Sequence, residues 1–145
     1  MGWFISLFLV FFTLADFYFN KITERVIHTE EATVINQKAI EMVRYINAIN
    51  DFLYEHPEYL GSEIIITDAQ TGMKSVYNVR NVVYRGRVYV WANDSPGLLS
   101  ALIKQTRSSA LLGLVKNRRL IDTEGKDMLV AVPSVIKDGM VVYIN

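Results

Sequence analysis

The sequence has no cysteine, only two histidines and three prolines in 145 residues. Without cysteine there is no disulfide framework, no thiolate nucleophile and no Cys-ligated metal site. Charge of one sign is not in excess either: 15 Lys+Arg stand against 15 Asp+Glu. That balance argues against a chain built mainly to hold nucleic acid. Hydrophobic residues make up 51% and charged residues 21%, which excludes disorder of the whole chain. The length leaves room for one globular domain, or for a small domain and an anchor. No HExxH motif in either direction, GxSxG, GxxxxGK[ST] or GxGxxG is present, so no catalytic residue and no cofactor are assigned. Glu24, His28 and Glu31 can share one helix face, but a lone histidine among acids on a solvated stalk is the commoner arrangement, and no metal ligand is assigned.

What the chain does have is an apolar start. Met1 to Ala15 carry no charged side chain, and after Asp16 the apolar run resumes with Phe17, Tyr18 and Phe19. A helix of this length spans about 28 Å, close to the roughly 30 Å of a bilayer's hydrocarbon core. Trp3 and Tyr18 lie near its two ends, where amphipathic rings favour the interfaces. The expected anchor covers residues 1–19, a single pass with Trp3, Phe4, Phe8, Phe11, Phe12 and Tyr18 facing lipid. Asp16 lies about a turn from the interface, within reach of water. A cleaved signal peptide has Thr13-Leu14-Ala15 as a passable site but lacks a basic n-region. A buried core helix would show a polar face, which this stretch lacks. Lys21 and Arg25 follow the run; taken alone, they favour the N-terminus outside.

From Ile22 to Glu55 there is neither Pro nor Gly. Apolar residues recur at Ala32, Ile35, Ala39, Met42, Ile46, Ile49 and Leu53, in alternating steps of three and four. This predicts an amphipathic stalk helix over residues 20–56. It ends near His56, because Pro57 disfavours helical geometry before it. The stripe from Ile35 to Leu53 either packs on its own domain or also meets a neighbouring subunit. Glu41 and Arg44 are placed to pair on the helix surface.

Residues 57–145 read as an α+β head packed on the stalk. Strands are predicted at Glu63–Thr67, Lys74–Val79, Val82–Tyr84, Val88–Trp91, Met128–Val132 and Met140–Ile144. Asp68–Gly72 is expected to be a turn or short loop. Lys137-Asp138-Gly139 is expected to join the last two strands. Ser95-Pro96 opens a short helix, and Ser108–Val115 is ambiguous. The fold class is α+β: an N-terminal transmembrane helix continuing into a long amphipathic helix packed on a mainly antiparallel β-sheet.

Charge is segregated. Residues 1–60 hold 4 Lys+Arg against 8 Asp+Glu, and residues 61–145 hold 11 against 7. A basic head can meet an acidic partner, and Arg118 with Arg119 are the candidate contact residues. Tyr84, Tyr89 and Trp91 lie near Arg85 and Arg87, but they alternate as ordinary sheet residues do, and nucleic-acid binding is not expected.

An apolar N-terminal helix that runs through an amphipathic stalk into a small sheet resembles a type IV pilin in outline. A processed pilin carries Glu at the fifth mature position, whereas the fifth residue from Trp3 is Leu7. The chain more closely resembles the small PilM family of type IVB (thin) pilus systems on conjugative plasmids. The resemblance covers Met1-Gly2-Trp3-Phe4, the stalk, and the segments Leu111–Val115 and Lys137–Tyr143. It implies a bacterial inner-membrane component of the pilus assembly machinery, serving pilus biogenesis and conjugation, with no catalytic residue and no cofactor. It places the head in the periplasm. The implied partners are membrane lipid and other pilus-assembly proteins or pilins, with self-association left open. The alternative is a minor pilin incorporated into the fibre.

Overall fold

The computed structural model describes residues 2–145 and, among residues 2–7, the side chains of Ile5 and Ser6 only. The chain divides into two compact units, Met1–Val34 and Ile35–Asn145. One helix, α1 (Gly2–Glu55), contributes to both. It stops where expected: His56 leaves helical geometry at φ −129°, ψ 64°, and Pro57 opens a 3₁₀ turn, Pro57–Gly61.

In the second unit, α1 is followed by α2 (Asp68–Thr71), β1 (Arg80–Tyr84), β2 (Arg87–Asn93), α3 (Leu98–Gln105), β3 (Leu112–Lys116), β4 (Arg119–Asp122), β5 (Asp127–Ala131) and β6 (Met140–Ile144). The strands form a six-stranded sheet in the order β1-β2-β6-β3-β4-β5, and every pairing is antiparallel. The fold is α+β, as the order of elements predicts.

Both faces of the sheet are covered. On one face, Ala39, Met42, Ile46, Ile49 and Leu53 of α1 pack with Val83, Val88, Val90, Ala92 and Val141 of the sheet, joined by Leu98 and Leu102 of α3. On the other, Val82, Tyr89, Trp91, Val142 and Ile144 pack with Val115, Leu120 and Ile136. Strand residues alternate between the two cores. This is why β2 reads as the unbroken apolar run Val88–Ala92: neither face meets water.

Four expectations need correction. Glu63–Thr67 and Lys74–Val79 are not strands. Ile64 alone bridges Val83, and the backbone groups of Ile66, Thr67, Val76, Tyr77 and Val79 bond to side chains instead of a ladder. Asn81, buried in β1, accepts from the Ile66 N–H at 2.9 Å and donates to the Ile66 carbonyl at 2.8 Å, so its amide acts as a surrogate peptide. Glu41, expected on the surface beside Arg44, is 8% exposed. Its carboxylate accepts from the Ser75 hydroxyl at 2.6 Å, from the Val76 N–H at 3.0 Å and from the Tyr77 N–H at 3.0 Å. Residues 63–79 thus form a strap without strands, containing the one-turn helix α2 and pinned to α1 and β1.

The third correction concerns β5 and β6. They are not joined as a hairpin, because β6 enters the sheet between β2 and β3. The connection is anchored by Ile136, fully buried in the second core, and by the Gly139 N–H on the Val115 carbonyl at 2.8 Å. The fourth concerns α3, which begins at Leu98 after Gly97 at φ 87°, not at Pro96. Ser95 does not cap it, since its hydroxyl meets the Lys38 ammonium at 3.3 Å.

Two outcomes test this account of the core. Ile46→Ala is expected to cost about 2–5 kcal/mol in urea unfolding, as for a fully buried aliphatic site. Glu41→Ala removes the charged acceptor of three part-buried hydrogen bonds, from Ser75, Val76 and Tyr77, and is expected to cost about 1.5–3 kcal/mol. A loss under roughly half a kilocalorie in either would place that side chain in water.

Candidate interaction surfaces

Among its described residues the first unit is helix alone, and its large apolar side chains are exposed on every side. Phe8, Phe11, Phe12 and Tyr18 are 59–68% exposed, and Leu9, Val10, Leu14, Phe17 and Phe19 are equally open. Trp3 and Phe4, the remaining candidates for this surface, have side chains outside the described residues. The threonine hydroxyls here bond back to the helix's own carbonyls. The Thr13 hydroxyl donates to the Leu9 and Val10 carbonyls, and Thr23, Thr29 and Thr33 bond back by four residues in the same way.

The expected transmembrane span over residues 1–19 is corrected on one point. Among the described residues no helix is long and apolar enough to cross a membrane. A span needs about 20 predominantly apolar residues, and one begun at Phe8 runs into Asp16, Lys21, Glu24 and Arg25.

The stalk stripe lies in the second unit. Ala39, Met42, Ile46, Ile49 and Leu53 are buried, and Ile35 is half-buried against the same core. These residues pack on the chain's own sheet. Ala32, at the start of the pattern, is exposed.

Arg118 and Arg119 sit at the β3–β4 turn but differ in surroundings. Asn117 and Arg118 are both left-handed, at φ 50° and 62°, the geometry of a two-residue type I′ hairpin. The Asp138 carboxylate accepts from both backbone N–H groups at 2.9 Å, which holds the turn. The Arg119 guanidinium pairs with Asp127 at 3.0 Å, and the Arg118 side chain is exposed. The register sets this turn, with Lys116 and Lys137, at the Asn93–Met140 end of the sheet. The other basic turn, Arg85-Gly86, lies at the Ile144 end. The basic residues of the head therefore form separate groups. Tyr89 and Trp91 are buried in the second core and offer no free ring for stacking, while Arg85 lies over the half-buried Tyr84 at 5.3 Å.

Sequence reasoning missed the polar network beneath the strap. Tyr45 donates to Asp68 at 3.2 Å and accepts from Asn81 at 3.1 Å. Burial, the largest influence, raises the Tyr45 pKa above the ordinary phenol value, so the hydroxyl stays protonated and keeps donating at neutral pH. The signal available was Glu41 itself, an acid adjoining Met42 of the apolar stripe. His28 is exposed, and the His56 ring lies against Phe52 at 4.6 Å and pairs with Glu58 at 3.3 Å. Among the described residues no group of three or more His, Cys, Asp or Glu is placed to hold a metal ion.

The family model described as PilM matches residues 10–144. The crystal structure of a protein named PilM from Escherichia coli B7A is 42% identical. It superposes with a TM-score of 0.70, covering 79% of this chain and 94% of that one. No protein with a curated description matches. With the family model extending over nearly the whole chain, stripe, strap and sheet included, the protein belongs to the PilM family and is pilus-related.

Proposed function

We propose that this chain is an inner-membrane component of a type IVB thin-pilus assembly machinery, with its head in the periplasm, serving pilus biogenesis and conjugation. The observation that carries the reading is the helical stretch Phe8–Phe19, whose apolar side chains are exposed all round, in a PilM-family chain. A helix with no polar face needs an apolar surrounding. Lipid supplies it if the span begins at the apolar residues that precede Phe8. The protein acts by contact and not by chemistry, and its partners are other pilus-assembly proteins or pilins. The basic turn around Arg118 is open to a partner. No cofactor and no nucleic acid enter this reading.

The chain is expected to sediment with the inner membrane and to resist carbonate extraction. Alkaline phosphatase fused after Asn145 should be active; an inactive phosphatase with an active cytoplasmic reporter at the same place reverses the orientation. Mass spectrometry of the mature N-terminus should find Met1 retained, whereas a methylated Trp3 would make the chain a minor pilin.

Replacing Arg118 and Arg119 with Glu should impair piliation while leaving folding intact. Exposed charges contribute little to stability, and the Arg119–Asp127 pair at most about 1 kcal/mol. Like charges brought together across an interface are costly. His28→Ala and His56→Ala should each leave assembly near normal. A severe defect from either, in a folded and membrane-bound protein, would revive an acid–base or metal role.

A further inference from the structure

The apolar part of α1 ends in two cations that no ion pair among the described residues engages, Lys21 and Arg25. They are four residues apart, one above the other on the same face, in the row that begins with Phe17. Side chains on a helix tilt towards its N-terminus. Each cationic head therefore lies over the turn before its own Cα, towards the apolar residues. The structure shows this directly for Lys21, whose ammonium sits 5.8 Å from the centre of the Phe17 ring. Phe17, Tyr18, Lys21, Ile22 and Arg25 together line an open groove of about 370 Å³. Its apolar wall and its two cations belong to one surface.

None of the nearby acids lines this groove, although Glu24 is three residues from Lys21 and neighbours it on the helix surface. Asp16 and Glu24 fall in the adjoining i, i+4 row with Asn20. Glu30 lines the next groove along the helix, with Ile22, Arg25, Val26 and Thr29. Two like charges four residues apart repel each other. An anion placed between them relieves that repulsion and engages both sets of donors. Of the anions such a surface can meet, one carries its own apolar chains to lie along Phe17 and Ile22.

We propose that Lys21 and Arg25 bind the phosphodiester of an anionic phospholipid, with its acyl chains along the apolar face of α1. This rests on the anchor reading and adds a lipid preference to it. Juxtamembrane cations each strengthen attachment to anionic lipid, and guanidinium and ammonium groups donate to phosphate oxygens.

The test uses the full chain in nanodiscs of phosphatidylcholine containing about one-third phosphatidylglycerol. Native mass spectrometry of the released protein should show phosphatidylglycerol adducts on the order of tenfold above the disc composition, from the joint effect of two cations. Lys21→Gln with Arg25→Gln should bring the adduct ratio down to that of the disc, while Glu24→Gln leaves the enrichment in place. Flotation with pure phosphatidylcholine vesicles should be the same for wild type and the double variant. No enrichment in the wild type, or enrichment unchanged in the double variant, overturns the lipid site while the anchor stands. Failure of the wild type to float with either lipid overturns the anchor reading and the lipid site with it.

Discussion

Seating the stripe Ala39, Met42, Ile46, Ile49 and Leu53 on the sheet is the contact on which the rest of the second unit depends. Without it, one face of a six-stranded sheet would lie in water, and each buried aliphatic residue is worth on the order of 1.5–3 kcal/mol. The stripe also decides what else can be irregular. Because α1 is held, Glu41 can carry a buried carboxylate across to Ser75, Val76 and Tyr77. The strap then needs only the single bridge from Ile64 to Val83, with the Val76 and Tyr77 N–H groups satisfied by Glu41 and that of Ile66 by Asn81.

One helix sequence carries two surface chemistries. Up to about Phe19 its side chains are apolar on all sides, and from Ile35 onward a single face is apolar. The first pattern calls for an apolar surrounding, and the second for a sheet. Between them lies a charged stretch with Lys21, Glu24, Arg25, Glu30 and Glu31. The proposed division of labour follows from this. Contact with lipid is assigned to the first pattern and to the cations that close it, and contact with partner proteins to the turns of the sheet. The Arg118 turn keeps an unusual backbone because Asp138 accepts both of its N–H groups.

Much of the fold was legible because it rests on local pattern. The end of α1, the strand residues on either side of Arg85-Gly86-Arg87, the buried stripe and the last strand all follow from periodicity, from Pro57 and from β-branched runs. Glu63–Thr67 and Lys74–Val79 misled for a physical reason. They have strand-like composition, but the backbone N–H groups of Ile66, Val76 and Tyr77 go to the side chains of Asn81 and Glu41, fifteen or more residues away. The candidate surfaces were legible as composition only. Arg118 and Arg119 are equivalent by sequence, yet one is open and the other is paired with Asp127. Spacing along the chain carries no information about which cation finds an acid across a strand.

The sequence by itself determined the α+β class, the long helix and its stop, the heptad stripe, the absence of cysteine chemistry and the family. These depend on residues within a few positions of one another, or on similarity along the whole chain. Only the tertiary structure decided the strand order, with β6 between β2 and β3. It alone decided the burial of Glu41, the peptide-like role of Asn81 and the separation of the basic residues to opposite ends of the sheet. The reason is common to all of these. Each depends on pairing between segments far apart in sequence, where the free energy is set by which surfaces close together and not by local propensity.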